Sequence, residues 1–289
     1  MSRRRHSPLN RALRRVQRTL GGRGWPGRLA RLLGAPRHVE VSHYEIVSER
    51  WPAGAPPLRI AYASDFHAGP TTHPELWKDA CDALESTGAD VLLLGGDYAA
   101  LGARDADPVI RRLGELPFPL GGFAVLGNHD YAFNAIYIGR QLEKAGIPLI
   151  TNRSVPLPAP WVGVWICGLD DWGYGDPDAS AALGGADGFR VVLMHAPSGV
   201  LDLDGERWEV ALCGHTHGGQ IALPGGRPLV SAHGPLSRHY SRGRFDLASG
   251  GTLLVSRGVG ASGVPFRLFS VPEIIVCTVR SAAAGDPVA

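Results

Sequence analysis

Short polar motifs follow five apolar segments of this chain in turn, and this ordered set restricts the possible folds more than any other feature of the sequence. Each apolar segment has the length of a buried strand. The motifs are Asp65-Phe66-His67, Gly96-Asp97, Gly127-Asn128-His129-Asp130, His195 and Gly214-His215-Thr216-His217. Ligands of open α/β sheets bind outside the carboxyl ends of strands, so a fold that gathers these ends would place all five motifs in one cleft.

The surrounding pattern predicts an α/β, layered protein. Strands are predicted at 39–48, 58–64, 91–95, 123–126, 162–167, 191–194, 210–213, 252–255 and 274–279, and helices at 74–86, 108–116 and 137–145. Alternation of strands and helices in the first half indicates parallel pairing, whereas the polar–apolar alternation of 39–48 indicates an antiparallel strand. We therefore expect two packed sheets with helices on their outer faces, in one domain spanning 38–289.

The residue types of the motifs are those of a metal site. Asp65 and His67, like His215 and His217, alternate along extended chain, so each pair can point to one side. Imidazole nitrogens combined with carboxylate and amide oxygens favour Mn, Fe or Zn, and the sequence leaves the choice among these open. Any one motif alone could be an ordinary turn or surface loop, because Asn and Asp favour turns. The order of all five makes the metal interpretation the stronger one.

The ordered motifs resemble those of the calcineurin-like metallophosphoesterase superfamily, whose pattern is D-x-H, GD, GNH(D/E), H and GH-x-H. The resemblance covers about residues 58–280, and every motif is complete. It implies a two-sheet β-sandwich flanked by helices, in agreement with the predicted elements. It also implies hydrolysis of a phosphoester by a hydroxide that bridges two divalent ions.

The resemblance further implies a role for each motif residue. One ion would be held by Asp65, His67 and His217, the other by Asn128, His195 and His215, and Asp97 would bridge both. His129 would stay outside the metal shell and protonate the leaving group or stabilise the phosphate charge. Asp130 would orient His129, as carboxylates orient imidazoles around metals.

Two further stretches resemble a bacterial branch of the superfamily, namely 214–224 and 256–274. This branch contains membrane-associated phosphodiesterases and the UDP-2,3-diacylglucosamine diphosphatases of lipid A synthesis. Arg257 and Arg267 are candidate clamps for a substrate phosphate, with structural arginines between loops as the alternative. Asp170, Asp171, Trp172 and Tyr174 are either cleft residues or ordinary loop residues.

Residues 1–37 form a basic arm that is distinct in charge from the rest of the chain. The arm contains eleven Arg and no Asp or Glu, which leaves 18 basic against 27 acidic residues, a net charge of −9, for 38–289. Its apolar residues Leu9, Leu13, Val16 and Leu20 have helical spacing, so the arm is predicted to lie on an anionic membrane face or to dock on the body as a tail. The acidic body makes nucleic acid an unfavourable partner.

The remaining sequence features concern the location of the protein. There is no apolar run of 18 residues and no CxxC pair among Cys81, Cys167, Cys213 and Cys277, so the cysteines are predicted to be buried and reduced. We expect a cytoplasmic protein at the inner face of the membrane. Three functions remain open: a phosphodiesterase or pyrophosphatase acting on a lipid-linked substrate, a phosphodiesterase for a soluble substrate such as a cyclic nucleotide, and a non-catalytic scaffold. The complete motif set argues against the scaffold.

Overall fold

The computed structural model describes residues 38–248 and 250–282 and contains two mixed β-sheets. The first sheet has the order β1-β11-β2-β3-β4 and the second the order β5-β6-β7-β8-β10-β9. The strands are β1 Glu40–Ser48, β2 Leu58–Ala63, β3 Val91–Leu94, β4 Gly122–Ala124, β5 Arg153–Pro156, β6 Val164–Gly168, β7 Phe189–Leu193, β8 Val210–Cys213, β9 Gly243–Asp246, β10 Thr252–Val255 and β11 Glu273–Ser281. The predicted layered fold with two sheets is confirmed.

Helices cover the outer faces of these sheets. They are α1 Pro74–Ser86, α2 Asp107–Gly114, α3 Asn128–Phe133, α4 Ala135–Lys144 and α5 Ala179–Leu183, with short 3-10 turns at Ala103–Ala106, Pro197–Leu201 and His217–Gly219. Helix α1 begins where its sequence predicts, because Pro74 suits the first helical turn and His73 Nδ1 accepts a hydrogen bond from the amide of Glu75. Its buried residues recur with the helical period, so one face of α1 packs against the first sheet.

Alternation along the strands divides the apolar side chains between two layers. In β2, Ile60 and Tyr62 belong to the cluster between the sheets, whereas Ala61 and Ala63 face the helices. The second sheet contributes Leu212 and others to the same central cluster. This central layer fixes how the two sheets lie on each other, and therefore how their carboxyl ends meet.

Parallel pairing of β2, β3 and β4 is confirmed, but the expected antiparallel pairing of the first strand is wrong. Strand β1 pairs in parallel with β11, which itself runs antiparallel to β2. The alternation in β1 arises because it is an edge strand with one exposed face. Such alternation reports exposure on one side and does not determine strand direction.

The arm lies outside the described residues, so its helix and the boundary at residue 37 remain predictions. Within 38–248 and 250–282, none of the helices has the length and apolar character needed to cross a membrane. All four cysteines are free and buried, as predicted. Burial raises the pKa of the Cys81, Cys167 and Cys277 thiols to about 12, so they are protonated at neutral pH.

Candidate metal centre

The polar motifs come together at one edge of the sandwich, where strands of both sheets end. Asp65 and Asp97 follow β2 and β3 of the first sheet, and His195 and His215 follow β7 and β8 of the second. The Gly-Asn-His-Asp motif opens α3 instead of forming a simple turn. Both sheets therefore supply candidate ligands to the same cleft.

Left-handed backbone conformations are concentrated at this edge. Among the described residues other than glycine, eight have positive φ, and five of these are candidate ligands: Asp65, His67, Asp97, His215 and His217. Such conformations are unfavourable for residues with a Cβ and persist only where surrounding structure enforces them. The backbone amides of Asp65 and His67 donate to the carbonyl oxygens of Gly96 and Asp97, which joins the two loops. The loops thus hold their side chains at the cost of backbone strain, which is typical of functional sites.

One cluster of candidate ligands consists of Asp65, His67 and His217. The Nε2 atoms of the two histidines lie 3.1 Å apart, and Asp65 Oδ1 lies 3.5 Å from His217 Nε2 and 3.9 Å from His67 Nε2. Asp65 Oδ2 accepts hydrogen bonds from the Ser64 hydroxyl and the His215 amide, whereas the buried Oδ1 has no hydrogen-bond partner among the described residues. A buried carboxylate oxygen facing two imidazole nitrogens fits a cation between them.

The second cluster consists of Asn128, His195 and His215. His195 Nε2 lies 3.0 Å from Asn128 Oδ1 and 3.1 Å from His215 Nδ1. The other ring nitrogen of each histidine donates to a carbonyl oxygen: His195 Nδ1 to Gly95 at 2.7 Å, and His215 Nε2 to His233 at 2.7 Å. These bonds orient both rings so that, in the neutral imidazole forms, His195 Nε2 and His215 Nδ1 carry the lone pairs. Together with Asn128 Oδ1 these two nitrogens would form a set of three ligand atoms for a divalent ion.

Asp97 lies between the two clusters. Its Oδ2 is 3.5 Å from His67 Nε2 and 3.5 Å from His195 Nε2, while Oδ1 accepts a hydrogen bond from the His129 amide. Burial, aided by the negative charge of Asp65 and opposed by His195, raises the pKa of Asp97 to about 7. One oxygen of a single carboxylate therefore faces histidines from both groups.

Most histidines of the site are neutral and therefore able to bind a metal cation. Burial lowers the pKa of His215 to about 4 and of His217 to about 3, and it lowers that of His67 as well, so these rings are neutral and able to bind metal. Burial alone would also lower the pKa of His195, but the negative charges of Asp97 and Asp65 raise it to about 9. The same negative potential would stabilise a divalent ion.

The carboxylate of Asp130 forms hydrogen bonds with backbone amides around the site, and the orienting role implied by the resemblance stays a prediction. The carboxylate accepts hydrogen bonds from the backbone amides of Asp97 (2.8 Å), Tyr98 (3.0 Å) and Gly127 (2.9 Å). Asp130 is thus buried behind the Asp97 loop and the start of α3, and these contacts hold the backbone of both segments. Nδ1 of His129 faces the carbonyl oxygen of Ala100 at 3.4 Å.

The two candidate phosphate clamps, Arg257 and Arg267, both contact groups of the protein. Arg267 is buried and donates to the carbonyl oxygens of Gly260 and Arg257, and its Nη2 lies 3.0 Å from His217 Nδ1. Arg257 forms ion pairs with Glu40 at 3.0 Å and Glu273 at 3.1 Å. Both guanidinium groups are engaged by the protein, and these contacts favour the structural alternative for both arginines.

The residues after β6 likewise serve loop structure. Asp170 accepts hydrogen bonds from the amides of Asp171 and Asp176 and from the Tyr131 hydroxyl, and Asp171 accepts from the amides of Gly173 and Tyr174. The Trp172 ring lies 6.2 Å from the ring of His233. These contacts favour the structural alternative for both aspartates.

A cavity of about 540 Å³ opens on the two clusters. Asp97, Asn128, His129, His215 and His217 line its floor, with Gln220, Ile221, Val230, His233, Ser262 and Val264 among the residues of its walls. His129 reaches this space with its Nε2 at 3.3 Å from the Ser262 hydroxyl. Sequence reasoning missed Ser262 and the two carbonyl groups that orient the histidines, because no motif marks a backbone oxygen or an isolated loop serine.

Comparison with known proteins agrees with this geometry. Residues 58–219 match the family model described as calcineurin-like phosphoesterase. The chain is 32% identical to an uncharacterized metallophosphoesterase of Aquifex aeolicus (strain VF5), over 87% of this chain and 98% of the relative. It is 29% identical to the uncharacterized metallophosphoesterase YkuE of Bacillus subtilis (strain 168), over 85% and 87% of the two chains. It is also 29% identical to a protein of Escherichia coli (strain K12) named phosphodiesterase YaeI, over 83% and 90%.

The matched region contains every candidate ligand, and the relatives extend over most of the described chain. The activity of the chain is therefore hydrolysis of phosphoesters, and its cofactors are divalent metal ions held in a dinuclear site, for which the Asp and His clusters are suited. On this combined evidence, the chain belongs to the calcineurin-like phosphoesterase family.

Proposed function

We propose that this chain hydrolyses a phosphodiester or pyrophosphate by means of two divalent ions held by seven side chains. Asp65, His67 and His217 would hold one ion, and Asn128, His195 and His215 the other, with Asp97 shared between them. The observation that carries this assignment is the position of Asp97 Oδ2, which is equidistant, at 3.5 Å, from the Nε2 atoms of His67 and His195. When bound, the ions would neutralise charge on the phosphate oxygens and lower the pKa of the attacking water.

The residues of the chain itself have separate tasks in this proposal. The carbonyl oxygens of Gly95 and His233 orient the rings of His195 and His215, so that the opposite ring nitrogen of each histidine would be available to hold an ion. His129, on the cavity floor but outside the two clusters, donates a proton to the leaving-group oxygen or stabilises charge on the phosphate. Asp130 holds the backbone that carries Asp97 and His129, so it is a positioning residue.

The proposed substrate class is a phosphodiester or pyrophosphate linked to a lipid, with UDP-2,3-diacylglucosamine as one candidate. The name of the relative YaeI supports phosphodiester chemistry, and the basic arm supports a substrate at an anionic membrane surface. The free cysteines fit a reducing compartment, so we place the enzyme on the cytoplasmic face of the membrane. A soluble substrate such as a cyclic nucleotide is the alternative, in which case the arm plays no part in catalysis.

The test is hydrolysis of a substrate panel by the metal-free protein resupplied with Mn, Fe or Zn. The panel contains UDP-2,3-diacylglucosamine, a cyclic nucleotide, bis-p-nitrophenyl phosphate and p-nitrophenyl phosphate. We expect turnover of bis-p-nitrophenyl phosphate, and faster turnover of the lipid-linked compound. Failure of every substrate with every metal would contradict the proposal.

A metal count on one variant tests the ligand assignment separately. Asp97→Asn should lower the number of bound ions measured by elemental analysis, because one side chain serves both clusters. Asp90→Asn is the matched control, since Asp90 precedes the same strand at its opposite end and its carboxylate only accepts from the Arg59 amide. An unchanged metal count in Asp97→Asn would refute the shared-ligand role.

Removal of residues 1–37 tests the proposed role of the arm. We expect weaker sedimentation with vesicles that contain phosphatidylglycerol, since each Arg near an anionic surface contributes about 1 kcal/mol. Hydrolysis of soluble bis-p-nitrophenyl phosphate should be unchanged. Equal vesicle binding by the full and the shortened chain would show that the arm is not an anchor.

A further inference from the structure

Exposed apolar side chains are concentrated beside the mouth of the metal cleft. Eleven large apolar residues of the described chain are exposed, and seven of them lie in the two loops 221–230 and 262–269. We call these seven the apolar rim: Leu223, Leu229, Val230, Val264, Phe266, Leu268 and Phe269. Leu229 and Val230 are 58% and 62% exposed. Single exposed apolar residues are common on protein surfaces, but a cluster of seven is a mark of an interaction site.

The two loops form one continuous surface because they are hydrogen bonded to each other. The amide of Ala222 donates to the carbonyl oxygen of Leu268 at 2.9 Å, and the amide of Leu268 donates to the carbonyl oxygen of Gln220 at 2.8 Å. The side-chain amide of Gln220 donates to the carbonyl oxygens of Ser262 and Val264. The backbone of the apolar rim is therefore held in place by hydrogen bonds between its two loops. Val230 and Val264 belong both to the rim and to the cavity wall.

The segment that contains the rim is rich in arginine, in contrast to the acidic body as a whole. Residues 214–272 contain six Arg and a single acidic residue, Asp246, although 38–289 carries a net charge of −9. Arg227 lies in the first rim loop and is exposed. Asp246 pairs with Arg244 at 3.0 Å. Arg257 is paired with Glu40 and Glu273, but Arg242 donates to the carbonyl oxygens of Gly225 and Phe269 in the two rim loops. An apolar patch with Arg227 and Arg242 beside it complements a surface with an apolar interior and anionic head groups.

We propose that the apolar rim inserts into the surface of an anionic lipid bilayer, so that the metal cleft opens directly onto the head-group layer. This membrane contact rests on the proposed function in one respect, namely that the substrate phosphoester lies among those head groups. Val230 and Val264, shared by rim and cavity, would then connect the acyl region to the catalytic floor. The rim is a second membrane contact, independent of the arm, and it sets the orientation of the cleft.

A fluorophore on the rim of the full chain tests insertion directly. Leu229→Cys is labelled with the environment-sensitive dye NBD, which is selective because the four natural cysteines are buried. Val162→Cys is the matched control, since Val162 is 68% exposed and precedes β6, at the edge opposite to the strand carboxyl ends. With vesicles of phosphatidylcholine and phosphatidylglycerol, we expect the rim label to shift to the blue and brighten, and the control label to stay unchanged.

Ionic strength and a rim variant separate insertion from attraction of the arm. At about 1 M NaCl the Debye length is ~3 Å, so the charge attraction of the arm is screened and the remaining vesicle binding reports apolar contacts, to which the rim contributes. Under these conditions Leu229→Ser/Phe266→Ser should bind vesicles about 10-fold more weakly, because apolar burial is lost. The control pair Val47→Ser/Val162→Ser, exposed at the opposite edge, should bind as the natural chain does.

Three outcomes would overturn the proposal. The first is a rim label that does not change while the protein sediments with vesicles, which would assign binding to the arm alone. The second is a rim variant that binds vesicles as tightly as the natural chain. The third is concentration-dependent dimerisation abolished by the rim substitutions, which would make the rim an interface between two copies. Hydrolysis of bis-p-nitrophenyl phosphate without vesicles is measured in parallel and should be equal in all variants, so failure of the proposed catalysis is recognised separately.

Discussion

His129 is the residue whose chemistry most directly separates catalysis from metal binding. Its ring lines the cavity and packs edge-on against His67, with 4.6 Å between ring centroids, yet it belongs to neither three-ligand group that we assign. His129→Ala should therefore lower the turnover of a substrate with a poor leaving group by about 10²–10⁴-fold, the usual contribution of a general acid. The metal content should stay that of the natural chain.

The leaving group gives this prediction its control. A p-nitrophenolate departs without protonation, so His129→Ala should be less impaired with bis-p-nitrophenyl phosphate than with an alkyl phosphodiester. Full turnover of the alkyl substrate would exclude a role as acid. A parallel loss of metal would instead identify His129 as a ligand.

The cysteines give a residue-scale prediction that depends on burial alone. Burial raises the pKa of Cys81, Cys167 and Cys277 to about 12 and also raises that of Cys213 well above its usual value. Since only the thiolate reacts, the native protein should show no reaction with Ellman's reagent at pH 8, and four thiols should react after unfolding. Leu229→Cys should add one reactive thiol to the native state. Reaction of the natural chain in its folded form would mean that the structure around a cysteine opens more readily than its packing indicates.

How far the site could be predicted depended on the kind of atom involved. The candidate ligands are side chains of rare types in a recognisable order, so their convergence could be anticipated from the sequence. The carbonyl oxygens of Gly95 and His233 could not, because every residue has one and only the folded backbone decides which oxygen meets a histidine. The burial of Arg267 could not be predicted for a related reason, since a buried and an exposed arginine look alike in sequence.

At the scale of elements, the start of α3 sets the distance between the two clusters. Gly127 immediately precedes this helix, and a Cβ at its position would lie 2.3 Å from Asp97 Oδ1 and 2.6 Å from His195 Cε1. Gly127→Ala should therefore displace one of these groups and weaken metal binding by about 10–100-fold, as other changes behind metal ligands do. Metal titration by calorimetry would measure this change.

Strand β4, which leads into the same loop, provides the control for that substitution. At Gly122 a Cβ would meet only ordinary contacts, the nearest 3.6 Å away, so Gly122→Ala should leave the affinity unchanged. Equal effects of the two substitutions would mean that the close approach at Gly127 does not control the site.

Elements that bury a complete face were the most predictable, and short polar ones the least. The bounds of α1 and of β8 and β10 agree with the sequence prediction, since their apolar periodicity is uninterrupted. Strands β5 and β9, four residues each, were missed because their residues are mostly half-exposed or exposed at the edges of the second sheet. Helix α3 was missed because its first residues are also those of a turn.

At the scale of the whole molecule, metal occupancy should determine a substantial part of the stability. Without ions, the buried carboxylates and imidazoles of the two clusters face each other, and few hydrogen bonds offset the free energy of burying them. At a metal concentration of 1,000 times the dissociation constant, binding adds about 4 kcal/mol to the free energy of unfolding. Chelation should therefore lower the melting temperature, measured by calorimetry.

Readdition of each metal serves as the control for chelation. Mn, Fe or Zn should restore the melting temperature, and Asp97→Asn should respond to chelation much less than the natural chain. A melting temperature that does not depend on metal in the natural chain would contradict the proposed site.

Each proposed ion would take ligands from both sheets, and this has a mechanical consequence. Asp65 and His67 extend from the first sheet and His217 from the second, while Asn128 is opposed by His195 and His215. The ions would thus cross-link the two sheets along one edge, and removal of the ions would remove this cross-link. Chelated protein should exchange its amide hydrogens faster around that edge, while the opposite edge keeps its protection. Metal occupancy would then determine which edge of the sandwich opens locally.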